Sequence, residues 1–205
     1  MKRKTMLILL SFFGVCLLFL GSVIAQDQPT AEQQEDMEAY FQKVAEPGPE
    51  HQKLASLEGT WSQVITLWPE PGAEPMVFEG TTENRMILGG RFLQCNSESG
   101  EGDMHTKSLT IYGYDNRFAE YTTVGFDTWG TYFVTAQGPM QEDGETVVMH
   151  GTDLDPLMNF EQEYDMVLRF VDQDTFTTEI IFYNPEMTGG EEQFKMLEVV
   201  NTRVK

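Results

Sequence analysis

The sequence predicts an all-β protein, an antiparallel up-and-down barrel of about ten strands behind an N-terminal amphipathic helix. Three observations carry that prediction. After Gly59 the chain breaks into β-branched and aromatic runs of roughly 8–13 residues. The breaks are Gly, Asp, Asn and Pro clusters with hairpin turn chemistry, such as Gly89-Gly90, Asp115-Asn116 and Asp143-Gly144. No long helical period returns before the C-terminus. Short connections in series imply that each strand pairs with the next, and closing such a meander removes the edges on which other chains would add.

The chain has 205 residues, room for one ordinary domain and a tail. Lys2, Arg3 and Lys4 precede an uncharged apolar run over 6–24 that ends Val23-Ile24-Ala25, the layout of a secretory signal peptide over 1–25 with Gln26 as the first mature residue. The run is close to the length that spans a bilayer, so an uncleaved membrane anchor is the rival reading. Both readings export the rest of the chain, to the periplasm or the medium. A linker and helix start occupy 26–36, and the folded domain 37–205. Thr30 is placed to cap a helix with Gln33 closing a capping box, and Met37, Tyr40, Phe41 and Val44 fall on one helical stripe. Pro47-Gly48-Pro49 ends that helix. A second short helical turn over 50–56 leads into the first strand.

The strand runs are read at 60–68, 75–87, 90–98, 105–114, 118–126, 130–137, 145–152, 162–172, 175–184 and 191–203. Tyr164, Met166, Leu168 and Phe170 alternate with Asp165 and Arg169, and Phe176, Thr178, Ile180 and Phe182 with Thr177 and Glu179. Such alternation makes one face of each strand apolar. Longer connections are expected at 68–75 and 153–160, at the barrel mouth. A transmembrane barrel is disfavoured because Glu79, Glu83, Glu120, Glu163 and Glu192 scatter charge through the strands.

The formal charge of −20 excludes nucleic acid as a partner, since a polyanion would approach against a repulsive field. Loss of 1–25 removes three cations and no anion, so the mature domain is more acidic still and does not bind anionic membrane surfaces. Of the two cysteines, Cys16 lies in the leader, which leaves Cys95 without an internal partner and reads as a small buried hydrophobe. The sequence has no G-x-S-x-G elbow, dinucleotide fingerprint, P-loop or C-x-x-C, so neither catalysis nor a cofactor is indicated. His51, His105 and His150 are too far apart to form a helical metal pair, and Asp153, Asp155, Asn159 and Glu161 lack calcium-loop spacing, so no metal site is indicated.

Strand parity supplies the candidate site. Glu198 shares a face with Phe194, Met196 and Val200; if that face is the lumen, the carboxylate needs a partner, and Arg85 or Arg91 is the available cation. Tyr164, Met166, Leu168 and Ile180 form part of the lumen wall. His150 alternates with Thr146 and Val148, which suits an inward imidazole holding a polar ligand head or haem iron, and equally a hydrogen-bonded core or surface position.

Gly59-Thr60-Trp61 at the opening of the first strand resembles the G-x-W signature of lipocalins and fatty-acid-binding proteins. In those families an arginine of the last strand packs on that tryptophan, which implies barrel closure by Trp61 and Arg203. The ordered set Pro47-Gly48-Pro49-Glu50-His51, Leu54-Ala55, Gly59-Thr60-Trp61, Leu88-Gly89-Gly90-Arg91-Phe92-Leu93, Gly113-Tyr114-Asp115-Asn116 and Thr202-Arg203 resembles the bacterial DUF1579 family over 37–203. The resemblance implies a lipocalin-like barrel and no established activity. Met104-His105 departs from the Pro-Phe pair that the family tends to show.

The function expected is therefore binding. An exported barrel carries a small apolar molecule, neutral or cationic because of the acidic exterior, with Arg91, Glu198 and His150 beside the apolar wall. The alternative is a structural or interaction protein whose lumen is filled by its own side chains, among them fourteen Phe and seven Tyr. An enzyme using Glu198 or His150 as acid or base comes third.

Overall fold

The computed structural model describes residues 30–155 and 159–205. The proposed leader over 1–25 lies outside the described residues. Two compact units are present, the first ending at Ala39 and the second running over Tyr40–Lys205.

Helix α1 (Ala31–Ala45) begins as its sequence dictates. The Thr30 N–H donates to Gln33 Oε1 at 2.8 Å, and the Gln33 N–H donates to Thr30 Oγ1 at 3.3 Å, the reciprocal capping box. Its apolar stripe finds no core: Tyr40 and Phe41 remain exposed. Helix α2 (Pro49–Ala55) starts with proline at its first position and buries His51 and Leu54. His51 Nδ1 accepts the Gly48 N–H at 3.0 Å, and burial is the main force holding its imidazole below the ordinary value.

Ten strands follow among the described residues: β1 (Gly59–Leu67), β2 (Met76–Ile87), β3 (Phe92–Ser99), β4 (Thr106–Asp115), β5 (Glu120–Asp127), β6 (Val134–Gly138), β7 (Thr146–Asp155), β8 (Phe160–Phe170), β9 (Thr175–Phe182) and β10 (Phe194–Arg203). Each pairs antiparallel with the next, and β10 returns to β1, so the sheet is a closed barrel. The all-β, lipocalin-like barrel expected from the sequence is the fold observed. Three boundaries differ by three residues or more. β6 starts at Val134 rather than 130, because Gly130-Thr131-Tyr132-Phe133 is aromatic but unpaired with β5. β10 starts at Phe194 rather than 191, and Gly189, in the left-handed region, ends a short helix α3 (Pro185–Thr188) in the connection before it. The 153–160 connection is shorter than expected, since β7 runs to Asp155 and β8 begins at Phe160.

Register fixes which side chains enter the lumen. The buried Trp61 and Gln63 set the inward parity of β1, and pairing carries it to Thr82 on β2, to Tyr112 on β4 through β3, and to Asn201 on β10. One bulge interrupts the pattern: Lys195 faces Ile181 but Leu197 faces Ile180, so Met196 is an extra residue on β10.

The end of the barrel where β1 starts and β10 ends is plugged. Leu54 and Leu57 pack there with Trp61, and the Trp61 indole N–H donates to Leu57 O at 2.9 Å. The Arg203 guanidinium lies 4.0 Å from the Trp61 ring and donates to Glu58 O and Ser56 O, at 2.6 and 2.7 Å. The closure implied by the family resemblance is therefore present, reinforced by an edge-to-face Phe176 ring 4.8 Å from Trp61.

Candidate functional site

The candidate site is the lumen, bounded by the inward-facing side chains of the strands. Its walls are chemically unequal. β7, β8 and β9 contribute Val147, Met149, Tyr164, Met166, Leu168 and Phe182, all buried, with Ile180 packed against them. Tyr164, Met166, Leu168 and Ile180, read from the sequence as lumen wall, lie on this inward face. Tyr164 lies over Gly151, where an added Cβ would meet its ring carbon at 2.5 Å, and its hydroxyl donates to Thr135 O at 3.0 Å. Glycine is required there because β7 and the phenol ring occupy the same space.

The facing half, from β10 through β1 to β5, carries buried polar groups: Gln63, Thr82, Asn84, Thr123 and Asn201. Several are satisfied locally. Gln63 Nε2 donates to Asn201 Oδ1 at 2.9 Å, Thr82 Oγ1 to Asn84 Oδ1 at 2.8 Å, and Asn84 Nδ2 to Leu57 O at 3.1 Å. Gln63 Oε1, Tyr121 Oη and Thr123 Oγ1 are buried with no hydrogen-bond partner. Burial pushes the Cys95 thiol up to about 12 and raises the phenol of Tyr112. Both groups are neutral at physiological pH.

No Asp, Glu, Lys or Arg is buried among the described residues, and His150 is exposed, which corrects four sequence expectations. Arg91 sits in the β2–β3 turn, not in a strand; it donates to Leu88 O at 3.2 Å and to Ala45 O at 2.8 Å, capping the C-terminal end of α1. Glu198 is on the outer face, because the Met196 bulge inverts parity between Phe194 and the residues after it. It binds Lys195, which also bridges to Glu179 at 2.9 Å. The Lys195 hydrogen bond lowers the Glu198 carboxyl; at Lys195, burial pulls down, but the two carboxylates outweigh it and the ammonium is raised. His150 is exposed outside, 3.1 Å from Asp165, since Val147 and Met149 take the inward positions of β7. Arg85 is exposed as well.

The mouth is acidic and partly roofed. Asp127 and Asp153 share the inward parity at the open ends of β5 and β7. Burial, with Asp153 adding to it, holds the Tyr164 phenol above its ordinary value. Helix α3 lies at this end, with Thr188 buried and Met187 packed against the core. The four-oxygen loop read in the sequence does not converge, for Asp153 pairs with Gln162 and Glu161 with Leu154, on opposite faces. Among the described residues no three His, Cys, Asp or Glu side chains are placed to hold a metal ion.

The buried amides and hydroxyls escaped the sequence reading. Their signal was parity counted from Trp61, which puts Gln63 on the same face two residues on.

No curated relative matches the sequence. Among the solved structures that resemble the fold are two of low sequence identity. Rv2717c from M. tuberculosis is 16% identical with a TM-score of 0.56, over 78% of this chain and 100% of that one. The S-type phycobiliprotein lyase CPES from Guillardia theta is 12% identical with a TM-score of 0.52, over 76% of this chain and 93% of that one. At such identity the likeness is one of fold. At the level of sequence, residues 46–203 match the pattern of the family described as protein of unknown function, DUF1579, and the chain belongs to that family.

Proposed function

We propose that this is an exported β-barrel binding protein that takes a small, largely apolar, neutral or cationic molecule into its lumen. The observation that supports it most is the pairing of an apolar wall with buried polar atoms left unpartnered: Gln63 Oε1 and Thr123 Oγ1. An orphaned buried acceptor costs about 1–3 kcal/mol, and a ligand hydroxyl or amine donating to Gln63 Oε1 would recover it. Asp127 and Asp153 at the mouth, with the net charge of −20, disfavour anions. Met149 and Met166 give the wall a shape that adapts to its occupant. The role is binding and not catalysis.

Titration of fluorescent apolar probes, one neutral, one cationic and one a fatty-acid analogue, into delipidated protein tests the reading. Saturable binding of the first two, abolished by Leu168→Trp and weakened by Gln63→Leu, is expected. Probes that ignore both substitutions, with each variant shown to be folded by circular dichroism, would instead favour a barrel filled by its own side chains.

A further inference from the structure

A valley of about 650 Å³ lies outside the barrel, across β1 to β5. Register explains its shape. One wall is a cross-strand row of outward side chains, Thr60, Glu83, Asn96, Leu109 and Phe126, each paired with the next. The other wall is the adjoining outward row, Thr81, Glu98, Lys107 and, beside Lys107, Thr128. Between the rows the floor is the backbone at Thr82, Ser97 and Ser108, whose side chains share the inward parity. Four strand spacings make the valley roughly 19 Å long, and it runs perpendicular to the strands.

Its chemistry is mixed in a particular way. Glu98 is held by His105 Nε2 at 2.7 Å and Lys107 Nζ at 3.3 Å. Asn96 Oδ1 accepts from Gln94 at 3.2 Å, which leaves its amide N–H groups for another acceptor. At the β5 end, Phe126 is 40% exposed and its ring lies tilted against that of the exposed Phe133, 5.9 Å between centroids. Trp129, next after Thr128, is 62% exposed yet fixed: its indole N–H donates to Thr106 Oγ1 at 2.6 Å and its backbone N–H to Asp127 Oδ1 at 2.8 Å. The adjoining exposed rings of Phe126 and Phe133 form an apolar patch of the kind that marks a binding surface.

We infer that this valley is a binding site for a linear, neutral oligosaccharide laid across the strands. Pyranose rings present C–H faces that stack on aromatic rings and equatorial hydroxyls that donate to carboxylates and accept from amides, the groups provided by Phe126, Glu83, Glu98 and Asn96. The valley is long enough for several linked rings, and the acidic surface turns away uronic-acid and sulfated chains. A peptide is the weaker fit, because extended peptides add at sheet edges and this barrel has none.

Isothermal titration of the purified protein with cellohexaose, chitohexaose, laminarihexaose and, as the anionic control, hexagalacturonate tests the site. At least one neutral hexaose binds; hexagalacturonate does not. Phe126→Ala and Glu83→Gln each weaken binding by about tenfold or more, Thr81→Arg abolishes it by filling the valley, and the lumen variant Leu168→Trp leaves it unchanged. Absence of binding to all three neutral hexaoses at millimolar concentration, or binding indifferent to Thr81→Arg, overturns the inference. So does retention of hexalysine, but of no glycan, with the same sensitivity to Thr81→Arg.

Discussion

The guanidinium of Arg203 sits 4.0 Å from the ring of Trp61, directly across the β1–β10 seam. The arginine is tied to three carbonyls, of Ser56, Glu58 and Gln173, so one side chain joins the plug, the first strand and the β8–β9 turn. Planarity matters here: a fork of donors serves several acceptors while its face lies on the indole, which an ammonium cannot do.

Trp61→Ala is accordingly expected to cost about 3–5 kcal/mol, the range for a buried large aromatic. Arg203→Lys keeps the charge and loses the fork, so it lowers stability as well, by less. Urea denaturation midpoints check both. An unchanged midpoint for Trp61→Ala would refute the role assigned to the seam.

Alkaline pH is the weak side of the core. Burial raises the Cys95 thiol from 9.0 to about 12, and the Tyr183 phenol is raised to about 12 by burial and by its hydrogen bond to Asp165. The unfolded chain therefore releases these protons first. Their contribution is intact below the unfolded values and is lost as pH climbs from about 9 toward the folded values. Stability measured at a series of pH values above 9 falls more steeply for the parent than for Cys95→Ala. In the native state at pH 8 the thiol is inert to Ellman's reagent and reacts on unfolding.

On β9 and β10, Glu179 and Glu198 lie opposite each other and share Lys195. Lys195→Met leaves two like charges paired across the strands, which costs about 1 kcal/mol. Adding Glu179→Gln restores much of it. Because Glu198 is lowered by Lys195, its contribution is present above the unfolded carboxylate value and disappears as pH falls through the folded one. An acid titration followed by NMR shows the Glu198 carboxyl moving up in Lys195→Met.

If the lumen binds the probe, His150→Ala and Arg91→Ala leave affinity unchanged, since both side chains lie outside it. Arg91→Ala instead speeds amide exchange at the C-terminal end of α1. A loss of probe affinity in His150→Ala would contradict the parity of β7.

The fold was legible because two independent signals agreed: period-two alternation over β8 and β9, and Gly, Asn and Asp pairs at the hairpins. Two of the errors share a cause. A strand's facing is an odd-or-even property, so a single extra residue at Met196 sent Glu198 to the opposite side, and no composition announces a bulge. At His150, the half-buried Val148 gave an apolar neighbour on the outer face and the wrong parity looked equally good. Arg91 was misplaced because a turn, not a strand, carries it. The outer valley was invisible for another reason: its rows join residues of five strands, and cross-strand register is not encoded within any one of them.

The ring also sets the order in which this protein can come into being. Trp61 meets Arg203 only after nearly the whole domain has been synthesised, so until the last strand is free β1 keeps an unpaired edge. No partial chain can bury the seam, and loop closure over that separation slows the final step. A growing chain therefore keeps β1 open-edged until β10 has been made and has docked, and the ring closes in one step with the seating of one arginine.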